Sequence, residues 1–259
     1  MIIDIHAHVW TDPAAQQRRA AEAGVDTDVL LSTRFHPEAC TTITELTAEF
    51  GRLLDGLDGQ GVPADPFEHA TAELLAALKD RPGSVGFVNA PLGDPAAAQA
   101  QVERHVGDPR IRGIGELTPA GGHGGEIEPI LRIASDHGAL PVLTHGFAPN
   151  TEQDLRTYAE LSGRHPHVPL IVGAFGGMSS MALIDVAQEH PNLYLDLSSA
   201  LQVFMVRAAA EALPDQCLFG SNSPYGDPVA SRATVEAAIA DPGVRRQVMG
   251  LNAAAVLRL

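Results

Sequence analysis

Short apolar runs alternate along the chain with longer amphipathic segments. Eight apolar runs end in polar or glycine-rich residues, at 2–8, 28–33, 84–90, 111–117, 140–145, 169–175, 193–199 and 217–222. Several are apolar at consecutive positions, as expected for strands that are covered on both faces. This pattern predicts the strands of a parallel β-sheet.

Alanine-rich segments with helical spacing of apolar residues lie between the runs. The clearest are 65–83, 94–108, 126–138 and 151–166, each with a Pro or Gly stop. Eight strands with helical crossovers predict an α/β protein, a single-domain (β/α)8 TIM barrel over residues 1–259. The segment at about 34–64 is longer than a simple crossover, so we expect it to hold a lid or an extra helix.

Composition narrows the class of protein. The chain has 259 residues, which suits one such barrel, and its 17 basic and 32 acidic residues give a net charge of −15. This charge argues against nucleic acid and anionic membranes as partners. Cys40 and Cys217 lie far apart and belong to no disulfide framework, and no apolar run approaches the length of a membrane span. We therefore expect a cytoplasmic protein.

Chemically active side chains gather at the ends of the predicted strands. His6 and His8 close the first run two residues apart, so their side chains lie on one face of the strand. Glu116 and His145 close the fourth and fifth runs, and a barrel carries its chemistry at this end. Three imidazoles and a carboxylate suit one divalent metal ion, with zinc as the first choice. The predicted ligands are therefore His6, His8, His145 and Glu116.

Two further histidines stand in loops on the same side of the predicted barrel. His36 follows the second run and His123 follows the fourth, so either can lean over the mouth as an acid or base. The alternative for both is a solvated loop histidine.

Six short motifs carry a resemblance to a known family. They are IDIHAH, RPGSVGFVNAPLGDP, IRGIGELTP, VLTHG, FGSNSP and the C-terminal MGLNAAAVLRL. In this order and spacing the chain resembles the amidohydrolase superfamily, in its amidohydrolase-related branch of hydrolases, lactonases and decarboxylases. The resemblance implies a metal centre in which His6 and His8 match the first-strand pair. Glu116 and His145 then match the fourth- and fifth-strand ligands.

Two positions depart from that family's pattern. Ala174 stands where the sixth strand usually has a histidine, and Asn222 stands where the eighth usually has an aspartate. Without the imidazole, a second metal loses a ligand, so one metal is expected. An amide cannot act as a base at neutral pH, so Glu116, His36 or His123 is left to move the proton. Asn222 remains a candidate hydrogen-bonding catalytic residue.

Three functions are consistent with these residues. The first is a one-metal enzyme that hydrolyses or decarboxylates a small carbonyl or carboxylate metabolite. The second is a metal-independent lyase, isomerase or cyclase in which His145, Glu116 and Asn222 act directly. The third is a non-catalytic ligand-binding paralogue. The sequence leaves the identity of the small-molecule substrate and a homo-oligomeric state open.

Overall fold

Eight parallel strands follow one another around a ring. The computed structural model describes residues 1–57 and 66–259. The strands are β1 (Ile3–His8), β2 (Thr27–Leu31), β3 (Val85–Val88), β4 (Ile111–Leu117), β5 (Val142–Thr144), β6 (Leu170–Val172), β7 (Leu193–Asp196) and β8 (Cys217–Leu218). Each strand pairs with the next, from β1 to β8. The backbone N of Ile5 donates to the carbonyl of Phe219 at 3.0 Å and so joins the last strand to the first. The predicted (β/α)8 barrel is confirmed.

Helices connect the strands and follow the last one. They are α1 (Pro13–Glu22), α2 (Ile43–Leu57), α3 (Pro66–Asp80), α4 (Pro95–His105), α5 (Glu128–Asp136), α6 (Glu152–Arg164), α7 (Ser180–Ala187), α8 (Val203–Ala212), α9 (Pro228–Ala238), α10 (Pro242–Arg246) and α11 (Asn252–Leu257). Several begin at a side-chain cap followed by proline, such as Asp12 before α1 and Asp94 before α4. Within the described ranges, no helix is both long and apolar enough to cross a membrane.

The strands are buried on both faces, which explains their continuous apolar character. Val29 and Leu31 of β2 pack in one cluster with Ile5 and Phe87 from the neighbouring strands. Leu30, between them, belongs to a different cluster, which includes Leu74 and Leu78 of α3. Alternate residues of one strand therefore fill the barrel interior and the layer between sheet and helices.

The long segment after β2 contains helical structure. A 3-10 turn spans Pro37–Ala39, and α2 follows it. None of the residues of α2 is buried. The remainder of the segment, 58–64, lies outside the described residues, so a role of this segment as a lid stays a prediction.

The sixth apolar run leaves the sheet earlier than its sequence pattern indicates. Residues 169–175 form a strand only at 170–172. Ala174, Phe175, Gly176 and Gly177 all have positive φ, between 50° and 66°. Strand residues have negative φ, so the chain must turn out of β6 at this point. This turn places the backbone of Ala174 beside the candidate site.

Candidate metal centre

Three buried side chains from two strands meet at the carboxyl end of the barrel. The Nε2 atoms of His6 and His8 on β1 are 3.2 Å apart. Oε2 of Glu116 on β4 lies 3.8 Å from His6 Nε2 and 3.6 Å from His8 Nε2. The three residues are 1%, 6% and 7% exposed. They form the one group of three or more His, Cys, Asp or Glu residues in the described chain whose ligand atoms all lie within 4.8 Å of one another.

The charges of this cluster are unequal. Burial would lower the pKa of His6, but the carboxylates of Asp196 and Glu116 outweigh it and raise that pKa to about 9. Burial lowers the pKa of His8 to about 4. For Glu116, burial would raise the pKa, yet the charge of His6 and the hydrogen bond of His145 lower it to about 2. At neutral pH the two imidazoles of the metal-free cluster therefore carry one positive charge, and the extra proton lies between their Nε2 atoms, opposite the carboxylate of Glu116.

A cation fits the place of that proton. The neutral His8 and the ionised Glu116 already present electron pairs to it, and two nitrogens with one oxygen are ligands that zinc and similar ions accept. Gly173, after β6, leaves room there. A Cβ at this position would lie 3.4 Å from Cε1 of His6 and 3.5 Å from Oε1 of Glu116. The residues present thus match a divalent metal ion in charge, donor type and space.

Asp196, at the end of β7, contacts the ring nitrogen of His6 that points away from the cluster. Its Oδ2 lies 2.7 Å from Nδ1 of His6, and the carboxylate is fully buried. Metal-binding histidines in proteins are commonly held by such a carboxylate on the other ring nitrogen. Asp196 was not predicted from the sequence. The available signal was a single acidic residue inside the apolar run 193–199.

His145 joins the cluster through Glu116. It follows β5, and its Nδ1 lies 2.9 Å from Oε1 of Glu116. Its Nε2 lies 3.2 Å from the carbonyl oxygen of Ala148. Both ring nitrogens therefore face oxygen atoms, and direct ligation by His145 stays a prediction.

The loop after β8 supplies two neighbours of the cluster. The backbone N of Asn222 donates to the carbonyl of His6 at 2.7 Å, and its side-chain Nδ2 donates to Oγ of Ser199 at 3.0 Å. The ring of Tyr225 meets the ring of His8 edge to face, with centroids 5.4 Å apart. Tyr225 was not predicted from the sequence, where its one signal is an aromatic residue in the loop after the eighth run. The catalytic role of Asn222 stays a prediction.

The two loop histidines have carboxylate partners of their own. Nδ1 of His36 lies 3.3 Å from Glu38, a hydrogen bond that raises the pKa of His36. His123 is exposed and lies 3.2 Å from Glu126. No hydrogen bond or ion pair in the described structure connects either histidine to the cluster of His6, His8 and Glu116. Their role as acid or base therefore stays a prediction.

The whole chain matches one family model. The model of the amidohydrolase family covers residues 3–259. The chain belongs to the amidohydrolase family. The resemblance predicted from the motifs is thereby confirmed. No curated protein matches this amidohydrolase.

Solved structures share its fold at low sequence identity. The 2,6-dihydroxybenzoate decarboxylase from Rhizobium is 14% identical, with a TM-score of 0.68 over 99% of this chain and 98% of its own. A dihydroxybenzoic acid decarboxylase from a Polaromonas species, with bound manganese and the inhibitor 2-nitroresorcinol, is 15% identical, with a TM-score of 0.64 over 100% and 97%. The 5-carboxyvanillate decarboxylase from Sphingomonas paucimobilis is 16% identical, with a TM-score of 0.63 over 100% and 99%.

The charge on His6 predicts how the stability of the metal-free amidohydrolase depends on pH. Its pKa rises from 6.5 to about 9 on folding, so protonated His6 stabilises the fold below pH 6.5. This contribution, up to about 3 kcal/mol, is lost as the pH rises toward 9. Urea unfolding of metal-free protein at pH 6.5 and 9 measures it. The His6→Gln variant should lose less stability over this window, and an equal loss in both proteins would contradict the prediction.

Proposed function

We propose that this amidohydrolase is an enzyme that uses one divalent metal ion to remove the carboxyl group of a small carboxylate substrate. The observation that carries the proposal is the buried group of His6, His8 and Glu116 at the carboxyl ends of the barrel strands. The activities named for the three structural relatives support the choice of reaction. Hydrolysis of a small carbonyl or carboxylate compound is the second candidate.

The chain offers ligands for one ion. Nε2 of His6, Nε2 of His8 and a carboxylate oxygen of Glu116 would hold it, with His145 as a further predicted ligand. Zinc is our first choice for this mixed nitrogen and oxygen set. Manganese is the alternative, because the Polaromonas relative holds it. Such an ion, when bound, supplies positive charge that polarises a substrate oxygen.

The proton-handling residues favour decarboxylation over hydrolysis. Hydrolysis needs a base that takes a proton from water, and the amide of Asn222 cannot do so. In decarboxylation the bond to the carboxyl carbon breaks, CO2 leaves, and the electron pair stays on the substrate carbon, which takes up a proton. The pair formed by Nδ1 of His145 and Oε1 of Glu116 can hold that proton beside the cluster.

Aromatic side chains near the cluster favour a flat substrate. The ring of Tyr225 stands against His8, and Trp10 is held by a bond of 3.0 Å from its Nε1 to Oγ of Ser223. Aromatic rings attract other aromatic rings in offset or edge-to-face geometry. The relatives named above act on dihydroxybenzoates and carboxyvanillate, which are aromatic acids. Aromatic carboxylates are therefore the substrate class to test first.

The cellular location and the oligomeric state of the protein are inferred from its sequence. Cys40 and Cys217 are both free, which agrees with a reducing compartment. A cytoplasmic location, the absence of nucleic-acid and membrane partners, and the open question of a homo-oligomer stay as predicted from the sequence.

The test is a substrate screen with two readouts. Purified protein is loaded with zinc or with manganese and incubated with 2,6-dihydroxybenzoate and 5-carboxyvanillate, while CO2 and the decarboxylated product are quantified. Lactones and amides of similar size are followed for hydrolysis in parallel. We expect metal-dependent CO2 release, unchanged in His69→Ala, whose side chain is 84% exposed on α3. Hydrolysis without CO2 release would contradict decarboxylation and favour the second candidate. Equal turnover with and without metal would contradict the proposed use of a metal ion.

A further inference from the structure

The carboxylate of Asp196 is enclosed by hydrogen-bond donors. Its Oδ1 accepts from the backbone N of Ser198 at 2.9 Å. Its Oδ2 accepts from the backbone N of Ala174 at 3.0 Å and from Oγ of Ser198 at 2.6 Å. The fourth partner is Nδ1 of His6, at 2.7 Å from the same Oδ2. Asp196 has no exposed surface, so these groups replace water around its charge.

The backbone donors decide the direction of the bond to His6. An amide N–H can only donate, so both oxygens of Asp196 must act as acceptors toward Ala174 and Ser198. Both oxygens already accept from N–H groups, so in the remaining bond Nδ1 of His6 is the donor and Oδ2 the acceptor. A neutral imidazole with its proton on Nδ1 carries its lone pair on Nε2. That atom is the one that faces His8 and Glu116.

The neighbouring turns are shaped around this carboxylate. Ala174 has φ 50°, in the left-handed region, and its N–H points at Oδ2 of Asp196. Gly220, after β8, passes so close that a Cβ there would collide with Oδ1 of Asp196. Three strands other than β7 thus converge on Asp196: β1 through His6, β6 through Ala174 and β8 through Gly220. At Ala174 the chain contributes a backbone donor where related sequences usually have a histidine.

We propose that Asp196 is a positioning residue that keeps the proton of His6 on Nδ1 and thereby aims the Nε2 lone pair at the metal site. This inference rests on the proposed function, since a metal ion is what the lone pair would bind. Asp196 itself touches neither the ion nor the substrate. Carboxylates that hold a ligating histidine in this way typically contribute 10- to 100-fold to metal affinity.

The first experiment reads the position of the proton directly and needs no metal. Long-range 15N–1H spectra of metal-free protein are recorded at rising pH until the His6 nitrogen shifts stop changing, so that the ring is neutral. The His6 signals are assigned by their loss in His6→Gln. We expect the proton on Nδ1 in the wild type and a shift toward Nε2 in Asp196→Ala. A wild-type proton on Nε2 would overturn the proposal, whether or not the protein binds a metal.

The second experiment measures zinc affinity in folded variants. Asp196→Ala should bind zinc about 10- to 100-fold more weakly than the wild type. Asp196→Asn should recover part of the loss, because its amide oxygen can take the place of Oδ2. Ser198→Ala is the matched control: it removes a hydroxyl from the same Oδ2 but leaves the bond to His6.

The outcomes separate the two proposals. A purely structural Asp196 would lower the melting temperature of Asp196→Ala and leave the zinc affinity unchanged, which would overturn the positioning role. A wild type that binds no zinc or manganese would overturn the proposed function, while the position of the His6 proton would still decide the role of Asp196. If Asp196→Ala does not fold, the wild-type spectrum remains the deciding measurement.

Discussion

The His6→Ala/His8→Ala double variant should lose the metal, from close to one equivalent of zinc or manganese per chain to less than about a tenth of an equivalent. Both Nε2 atoms face the same point, 3.2 Å apart, so the double variant removes two of the three clustered ligand atoms. The carboxylate of Glu116, even with His145 beside it, is left without the paired imidazoles and should bind divalent ions weakly. Elemental analysis after reconstitution and removal of free metal measures the change.

The control must separate metal loss from general effects of removing histidine. His69→Ala changes an exposed histidine on α3 whose contact is Glu73, so it should keep the wild-type metal content. Circular dichroism and thermal melting check that the double variant is folded. A folded double variant that retains close to one equivalent would place the metal elsewhere and remove the basis of the proposed function. Loss of metal with undiminished turnover would instead favour the metal-independent alternative.

The Glu116→Gln variant should lower kcat/KM for decarboxylation by about 10²- to 10⁴-fold, the range expected for a positioned proton-transfer group. The substitution removes the negative charge that faces both imidazoles, at 3.8 Å from His6 and 3.6 Å from His8. It also weakens the acceptor for Nδ1 of His145 at 2.9 Å, where we place the proton. The loss should affect kcat as well as metal affinity, because the same carboxylate serves both.

Saturating metal separates these two contributions of Glu116. Activity is measured at rising zinc or manganese concentration for the wild type, for Glu116→Gln and for the control Glu103→Gln. Glu103 lies exposed on α4, where Gln99 is its hydrogen-bond partner. We expect the control to match the wild type and Glu116→Gln to remain slow at every metal concentration. Full recovery at high metal would reduce Glu116 to a ligand and would contradict its part in proton transfer.

Much of this site could be predicted from the sequence, because in a parallel barrel the place of a residue along its strand determines which face and which end of the barrel its side chain occupies. Side chains two apart on a strand share a face, so His6 and His8 had to lie together. Strand ends of a parallel barrel meet at one rim, so Glu116 and His145 had to approach them. The eight apolar runs likewise predicted all eight strands. Strands buried on both faces are apolar at consecutive positions, so they appear in the sequence as short continuous apolar runs.

The rest depended on contacts that no local pattern encodes. Asp196 is a single acidic residue in an apolar run, and only the closed ring brings it within 2.7 Å of His6, 190 residues earlier in the chain. Ala174 reads as a missing histidine, whereas its backbone N–H contributes because positive φ values turn the chain after β6. The position of Tyr225 against His8 depends on the path of a loop.

The sequence by itself determined the barrel, the family and the set of candidate ligands, because these follow from the order of apolar runs and from side chains at strand ends. The tertiary structure decided which atoms face one another. In the metal-free barrel burial lowers the pKa of His8, while two carboxylates raise the pKa of His6, at distances that only the folded barrel sets. Electrostatic energy depends on separation and burial in space, and neither is a property of neighbouring residues in the chain.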